Sequence, residues 1–115
     1  MKKFLMLAGA AVFAWFASPA MAAETVTGEV VDLACYLPHP EMKGSGHRKC
    51  AETCAKKGMP LGILTDDKQV YLLLEDHENP KPYEQAKAKA AEKITVEGDK
   101  AAQGGLQAIV VESVK

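Results

Sequence analysis

All three phenylalanines and the single tryptophan of this 115-residue chain lie in its first 22 residues, and this distribution limits the core that the remainder can build. Large aromatic side chains supply much of the buried area in an ordinary domain. Residues 23–115 must instead build a core from Val, Leu, Ile and Ala, with Tyr36, Tyr71 and Tyr83 as their aromatic residues. A sequence of this length and composition predicts one small domain with an aliphatic core.

The first 22 residues have the pattern of a secretory signal peptide. Two lysines give a positive start, residues 4–17 form an apolar run, and Ala20-Met21-Ala22 matches a small-x-small cleavage pattern. A membrane-spanning helix needs about 20 apolar residues, and this run is shorter. We therefore expect cleavage after Ala22, a periplasmic or secreted domain over residues 23–115, and no stable membrane insertion of that domain.

Hydrophobic periodicity and turn residues predict five strands and two helices within residues 23–115. The strands are expected at Thr25–Tyr36, Leu61–Thr65, Val70–Glu75, Lys93–Gly98 and Leu106–Val114. The first helix is expected at His47–Lys57, with Gly58 as its stop, and the second from Pro80 to about Glu92.

The first strand changes the phase of its apolar residues near Gly28. Val26 and Val30 alternate with polar residues, whereas Val31 and Leu33 follow in the opposite phase. Such a change beside a glycine predicts a bulge or a sharp bend in the strand.

The predicted element order resembles that of the OB-fold, a small Greek-key barrel. The expected fold class is mostly β with two short helices: a five-stranded OB-fold-like barrel, with one helix inserted between strands 1 and 2 and another between strands 3 and 4. A bent first strand fits the resemblance, since in an OB-fold this strand serves both sides of the barrel. The resemblance implies ligand contacts in the connection between the first two strands. As an exported barrel the chain also resembles small bacterial stress or envelope proteins.

That connection carries three cysteines and a histidine close together in sequence. On an α-helix at about 100° per residue, His47, Cys50 and Cys54 fall within a sector about 60° wide. One imidazole and two sulfur atoms therefore share a face of the predicted helix. Cys35 ends the first predicted strand, and the following loop allows it to fold back over this face. The four residues predict a site for a soft metal ion, copper or zinc, because thiolate and imidazole are ligands of both.

An odd number of cysteines in an exported domain also fits a site without metal. In this alternative Cys35 forms a disulfide with Cys50 or Cys54, and the third thiol is spare or reactive. The protein would then be a disulfide-stabilised OB-fold that binds a ligand or takes part in thiol-redox chemistry. The sequence leaves both hypotheses open.

The sequence contains no nucleophile elbow, no phosphate-binding loop and no His-Glu-x-x-His motif. The chain has 14 Lys and Arg against 15 Asp and Glu, and two of the lysines belong to the expected signal peptide, so that the domain itself is acidic. This charge and the shortage of aromatic residues argue against nucleic acid as a partner. We expect a binding protein rather than an enzyme, with a metal ion or a small ligand as its partner.

Overall fold

A computed structural model describes residues 23–115, together with Gly9 and Val12. The expected signal peptide lies, apart from those two residues, outside the described part of the chain, so its assignment stays a prediction. Within the described residues, no helix reaches the length and apolar character that a membrane-spanning segment requires.

The described domain contains five strands, two helices of seven or more residues and one helical turn. In chain order these elements are β1 (Glu24–Asp32), the turn α1 (Leu33–Tyr36), α2 (Arg48–Lys56), β2 (Leu61–Leu64), β3 (Val70–Glu75), α3 (Lys81–Lys87), β4 (Lys93–Gln103) and β5 (Leu106–Val114). A short 3-10 turn, Ser45–His47, leads directly into α2.

The five strands form a closed barrel in the order β1-β2-β3-β5-β4. β3 and β5 are parallel, and all the other neighbouring strands are antiparallel. α2 lies between β1 and β2 in the chain, and α3 lies between β3 and β4. The arrangement is that of a small OB-fold-like barrel, which confirms the fold class predicted from the sequence.

β1 serves both sides of the barrel. Glu24–Glu29 pairs with β4, and Glu29–Asp32 pairs with β2. Gly28 lies where the strand passes from one partner to the other, and a Cβ atom there would lie only 2.2 Å from the carbonyl oxygen of Leu64. The apolar phase change in the sequence corresponds to this transfer, since the strand can approach β2 so closely only without a side chain at this position.

The barrel interior is aliphatic, as the composition predicts. Val30, Ile63, Val96 and Ile109 are completely buried in the main core. Burial of one such side chain contributes about 1.5–3 kcal/mol. Tyr71 and Tyr83 pack against this core, and Ala51 and Ala55 of α2 and Ala86 of α3 reach into it.

A second, smaller cluster lies on the other face of β1, where Val31 packs with Leu33 and Leu64. Tyr36 packs against the same cluster. The two apolar phases of β1 therefore serve two different cores, with Val30 in the main one and Val31 in the smaller one.

The prediction that the first strand continues to Tyr36 is wrong, because β1 ends at Asp32 and a helical turn follows. The Asp32 side chain accepts a hydrogen bond from the backbone N–H of Ala34 at 2.9 Å and so caps this turn. The N–H of Leu33 donates to the carbonyl of Pro60 at 3.0 Å. Cys35 is consequently on a helical turn and not on a strand.

The second helix is shorter than predicted and ends at Lys87. Ala91 has a left-handed backbone, with φ of 66°, and its N–H donates to the carbonyl of Val30 at 2.8 Å. The N–H of Val30 donates in return to the carbonyl of Glu92 at 2.9 Å. Because Ala91 and Glu92 bond to β1 in this way, the helical hydrogen-bond pattern does not continue through them. β4 is longer than predicted, since its hairpin with β5 continues past Gly98 to Gln103.

Candidate metal centre

α1 brings Cys35 beside the end of β1. The turn begins at Asp32, which is the last residue of β1 and the cap of α1, so that Cys35 follows only three positions later. Leu33 anchors the turn in the smaller apolar cluster. Cys35 is half-buried in this position.

α2 supplies the second side of the site. Ala51 and Ala55 are almost completely buried and fix the helix against the barrel. Cys50 and Cys54 directly precede these alanines, so both thiols lie at the edge of the buried face, one helical turn apart. Cys50 is exposed and Cys54 is half-buried, while His47 is half-buried at the junction of the 3-10 turn with α2.

Two groups of donor atoms result, and Cys35 belongs to both. The His47 group consists of Cys35, His47 and Cys50, and its ligand atoms all lie within 4.8 Å of one another. The Asp32 group consists of Asp32, Cys35 and Cys54, within the same limit. The four residues predicted from the sequence are therefore gathered at one place, but Cys54 is grouped with Asp32 and not with His47.

Asp32 is the donor that the sequence reasoning missed. It stands in an apolar run, between Val31 and Leu33, and three residues before a cysteine. A carboxylate among apolar residues of a strand is a signal of a buried polar role, since charged side chains are almost never buried unless paired. The sequence assigned this stretch to a strand, where residues 32 and 35 would point to opposite faces.

Two atoms of the cluster are buried without a hydrogen-bond partner among the described residues. They are Oδ2 of Asp32 and Nε2 of His47. Only 1% of Asp32 is exposed, and its other carboxylate oxygen, Oδ1, accepts the N–H of Ala34. A buried polar atom without a partner is costly, and coordination of a metal ion would satisfy such an atom.

The Asp32 carboxylate changes the acidity of its neighbours. Its interaction with the protonated thiols and its repulsion of a thiolate raise the pKa of Cys35 to about 12 and that of Cys54 to about 11, with burial as the second cause. Burial alone would raise the pKa of Asp32, but its interactions with Cys54 and Cys35 and with the N–H of Ala34 hold that pKa below its ordinary value. Without metal, both thiols are consequently protonated at neutral pH.

The disulfide of the alternative hypothesis is not present in the structure. Cys35, Cys50 and Cys54 are all free, and the sulfur atoms of Cys35 and its two candidate partners are not at bonding distance. Thiols with raised pKa values are also poor nucleophiles, because the thiolate is the reactive form. The structure therefore lacks the disulfide on which that alternative depends, and it makes Cys35 and Cys54 weak nucleophiles.

Comparison of this chain with protein-family models, with curated proteins and with solved structures gives no match. What the site can do must follow from its own donor atoms.

Proposed function

We propose that this protein is a small metal-binding barrel that holds a soft ion, copper or zinc, through Cys35, His47, Cys50 and Cys54. The observation that carries the proposal is the His47 group, in which two sulfur atoms and an imidazole nitrogen lie within 4.8 Å of one another. The buried and unpartnered Nε2 of His47 supports it, since coordination would satisfy that atom.

The donor types fit both ions. Zn²⁺ takes tetrahedral sites of sulfur and nitrogen, with Zn–S distances of about 2.3 Å and Zn–N distances of about 2.0 Å. Ligand atoms around such an ion are separated by about 3.3–3.8 Å, as follows from these bond lengths. Donors within 4.8 Å of one another reach that spacing by shifts of about 1 Å, which side-chain rotation supplies. Cu(I) is favoured by the same soft thiolates.

The setting proposed for this binding is the periplasm or the cell exterior, on the basis of the signal-peptide pattern of residues 1–22. The OB-fold-like barrel of the protein provides the rigid part of the site, because residues of both β1 and α2 are packed in the main core. A metal bound there would stabilise the folded state, since ligands that bind only the folded protein shift the folding equilibrium. The proposed partner is the metal ion, and the acidic charge and the shortage of aromatic residues argue against nucleic acid.

The decisive test is metal binding by a variant of the shared donor. Chelator-treated, reduced protein would be titrated with Zn²⁺ and with Cu(I), and affinities would be read by competition with a chromophoric chelator. Cys35→Ser is expected to weaken binding at least 100-fold, since even residues that only support a ligand contribute about 10–100-fold. Thr53→Ser is the matched control, because Thr53 lies exposed on α2 and belongs to neither group.

Equal affinities of the wild type and Cys35→Ser would overturn the ligand assignment. If the wild-type protein binds neither ion more tightly than with a micromolar dissociation constant, the proposed function itself is overturned.

A further inference from the structure

The five donors of the cluster exceed what one tetrahedral ion uses. Each of the two groups offers three ligand atoms, and the sulfur of Cys35 is the only atom common to both. We propose that the cluster binds two divalent ions, one in the His47 group and one in the Asp32 group, with the thiolate of Cys35 as the bridge between them. This inference rests on the proposed function, adds to it a second ion and a new ligand, Asp32, and assigns Cys54 to the second ion.

The buried carboxylate of Asp32 points to a second ion. Its Oδ1 accepts the N–H of Ala34, but its Oδ2 is buried and has no partner. None of the ion pairs among the described residues includes Asp32, so no Lys or Arg compensates its charge. A buried charge is stable only when it is paired or coordinates a metal. A carboxylate oxygen of Asp32 lies within 4.8 Å of the sulfur atoms of Cys35 and Cys54, where a cation would compensate the charge.

The charge of the whole cluster also favours two ions. A single divalent ion held by Cys35, His47, Cys50 and Cys54 would leave three thiolates and the adjacent carboxylate with only half of their negative charge neutralised. Two divalent ions neutralise the three thiolates and the carboxylate completely, while His47 binds as a neutral imidazole. Neutrality matters here because Asp32 is almost completely shielded from water.

A shared thiolate also suits two ions geometrically. Sites with two metal ions in proteins place the ions about 3.5–4 Å apart. Two ions that share one thiolate, each at about 2.3 Å from its sulfur atom, reach this separation at an ordinary bridging angle. Each ion would have three protein ligands and one open position, which is the coordination that accepts a water molecule or an external ligand.

The ordinary role of Asp32 as a helix cap does not explain these observations. Capping uses only Oδ1, and asparagine is as good a capping residue as aspartate. Asp32→Asn therefore keeps the cap, the size and the hydrogen bond to Ala34 while it removes the charge. This variant separates a metal ligand from a structural residue.

The experiment is a titration of the reduced, metal-free protein with Zn²⁺, with stoichiometry read by native mass spectrometry and by elemental analysis after gel filtration. The wild type is expected to bind two Zn²⁺ per chain. Asp32→Asn and, independently, Cys54→Ser are expected to bind one. Asp99→Asn, at an exposed position of β4, is the matched control and is expected to bind two.

One Zn²⁺ in the wild type, or two in both Asp32→Asn and Cys54→Ser, would overturn the second site and leave the proposed function intact. No Zn²⁺ and no Cu(I) in the wild type would overturn both. Because Cys54→Ser does not touch the cap of α1, it decides the question if Asp32→Asn does not fold.

Discussion

The metal-free thiols of Cys35 and Cys54 should be unusually unreactive. Their pKa values of about 12 and about 11 compare with an ordinary value of 9.0, and the side chain of Asp32 is the first cause of both shifts. At a pH well below the pKa, each unit by which the pKa is raised lowers the fraction of thiolate about tenfold. At about pH 8 we therefore expect Cys35 to react with iodoacetamide about 1000-fold more slowly than an ordinary cysteine, and Cys54 about 100-fold more slowly.

The assay is timed alkylation of the reduced, chelator-treated protein, followed by peptide mass spectrometry in which fragmentation separates Cys54 from Cys50. The same chain in denaturant supplies the ordinary rate for each site. Asp32→Asn should accelerate both sites, because it removes the charge that opposes the thiolate, while Asp99→Asn should change neither. If Cys35 reacts within about tenfold of its rate in the denatured chain, the carboxylate does not control the thiols and the reasoning is refuted.

Two further predictions concern the fold. Gly28→Ala places a Cβ atom 2.2 Å from the carbonyl oxygen of Leu64 and should lower the free energy of unfolding by about 1–3 kcal/mol or more. Gly46→Ala, where a Cβ atom would have no atom within 4 Å, is the control and should change this free energy by less than about 0.5 kcal/mol. Urea unfolding followed by circular dichroism measures both variants, and equal stabilities would contradict the close approach at Gly28. In the metal-free protein, the folded pKa of Asp32 lies below the value of 3.8 taken for the unfolded chain, so its stabilising contribution is fully present above that value and is lost as the pH falls through the lower folded pKa. Unfolding measured between about pH 2 and pH 5 should therefore show a weaker acid dependence in Asp32→Asn than in the wild type, and identical slopes would exclude this role.

Much of the fold follows from local sequence patterns. The bounds of β3 and β5 agree with the prediction, and α2 differs from it by only one residue at each end. Alternation and helical periodicity depend on residues only a few positions apart, so a strand or a helix can be predicted from its own segment of sequence. For the same reason the shared face of Cys50 and Cys54 could be predicted before their surroundings were known.

The predicted ends of β1 and α3 are wrong because residues distant in sequence determine the backbone conformation there. β1 stops at Asp32 because the Asp32 side chain caps α1 and the N–H of Leu33 donates to the carbonyl of Pro60. α3 ends earlier than predicted because the N–H of Ala91 donates to the carbonyl of Val30. A periodic pattern cannot reveal such bonds, since their partners are far apart in the chain. The same limit explains why the sequence left a disulfide open as an alternative, because spacing alone does not tell whether two thiols reach bonding distance.

The element order, the aliphatic character of the core and the soft donors of the first connection follow from residue types and their spacing along the chain. The position of Cys35 between two groups of donors, and the burial of Asp32 beside it, are seen only in the folded domain. Donor types are a property of single residues, whereas a binding site is a property of distances between elements. Those distances exist only after β1 has closed the barrel and α2 has packed its alanines against the core.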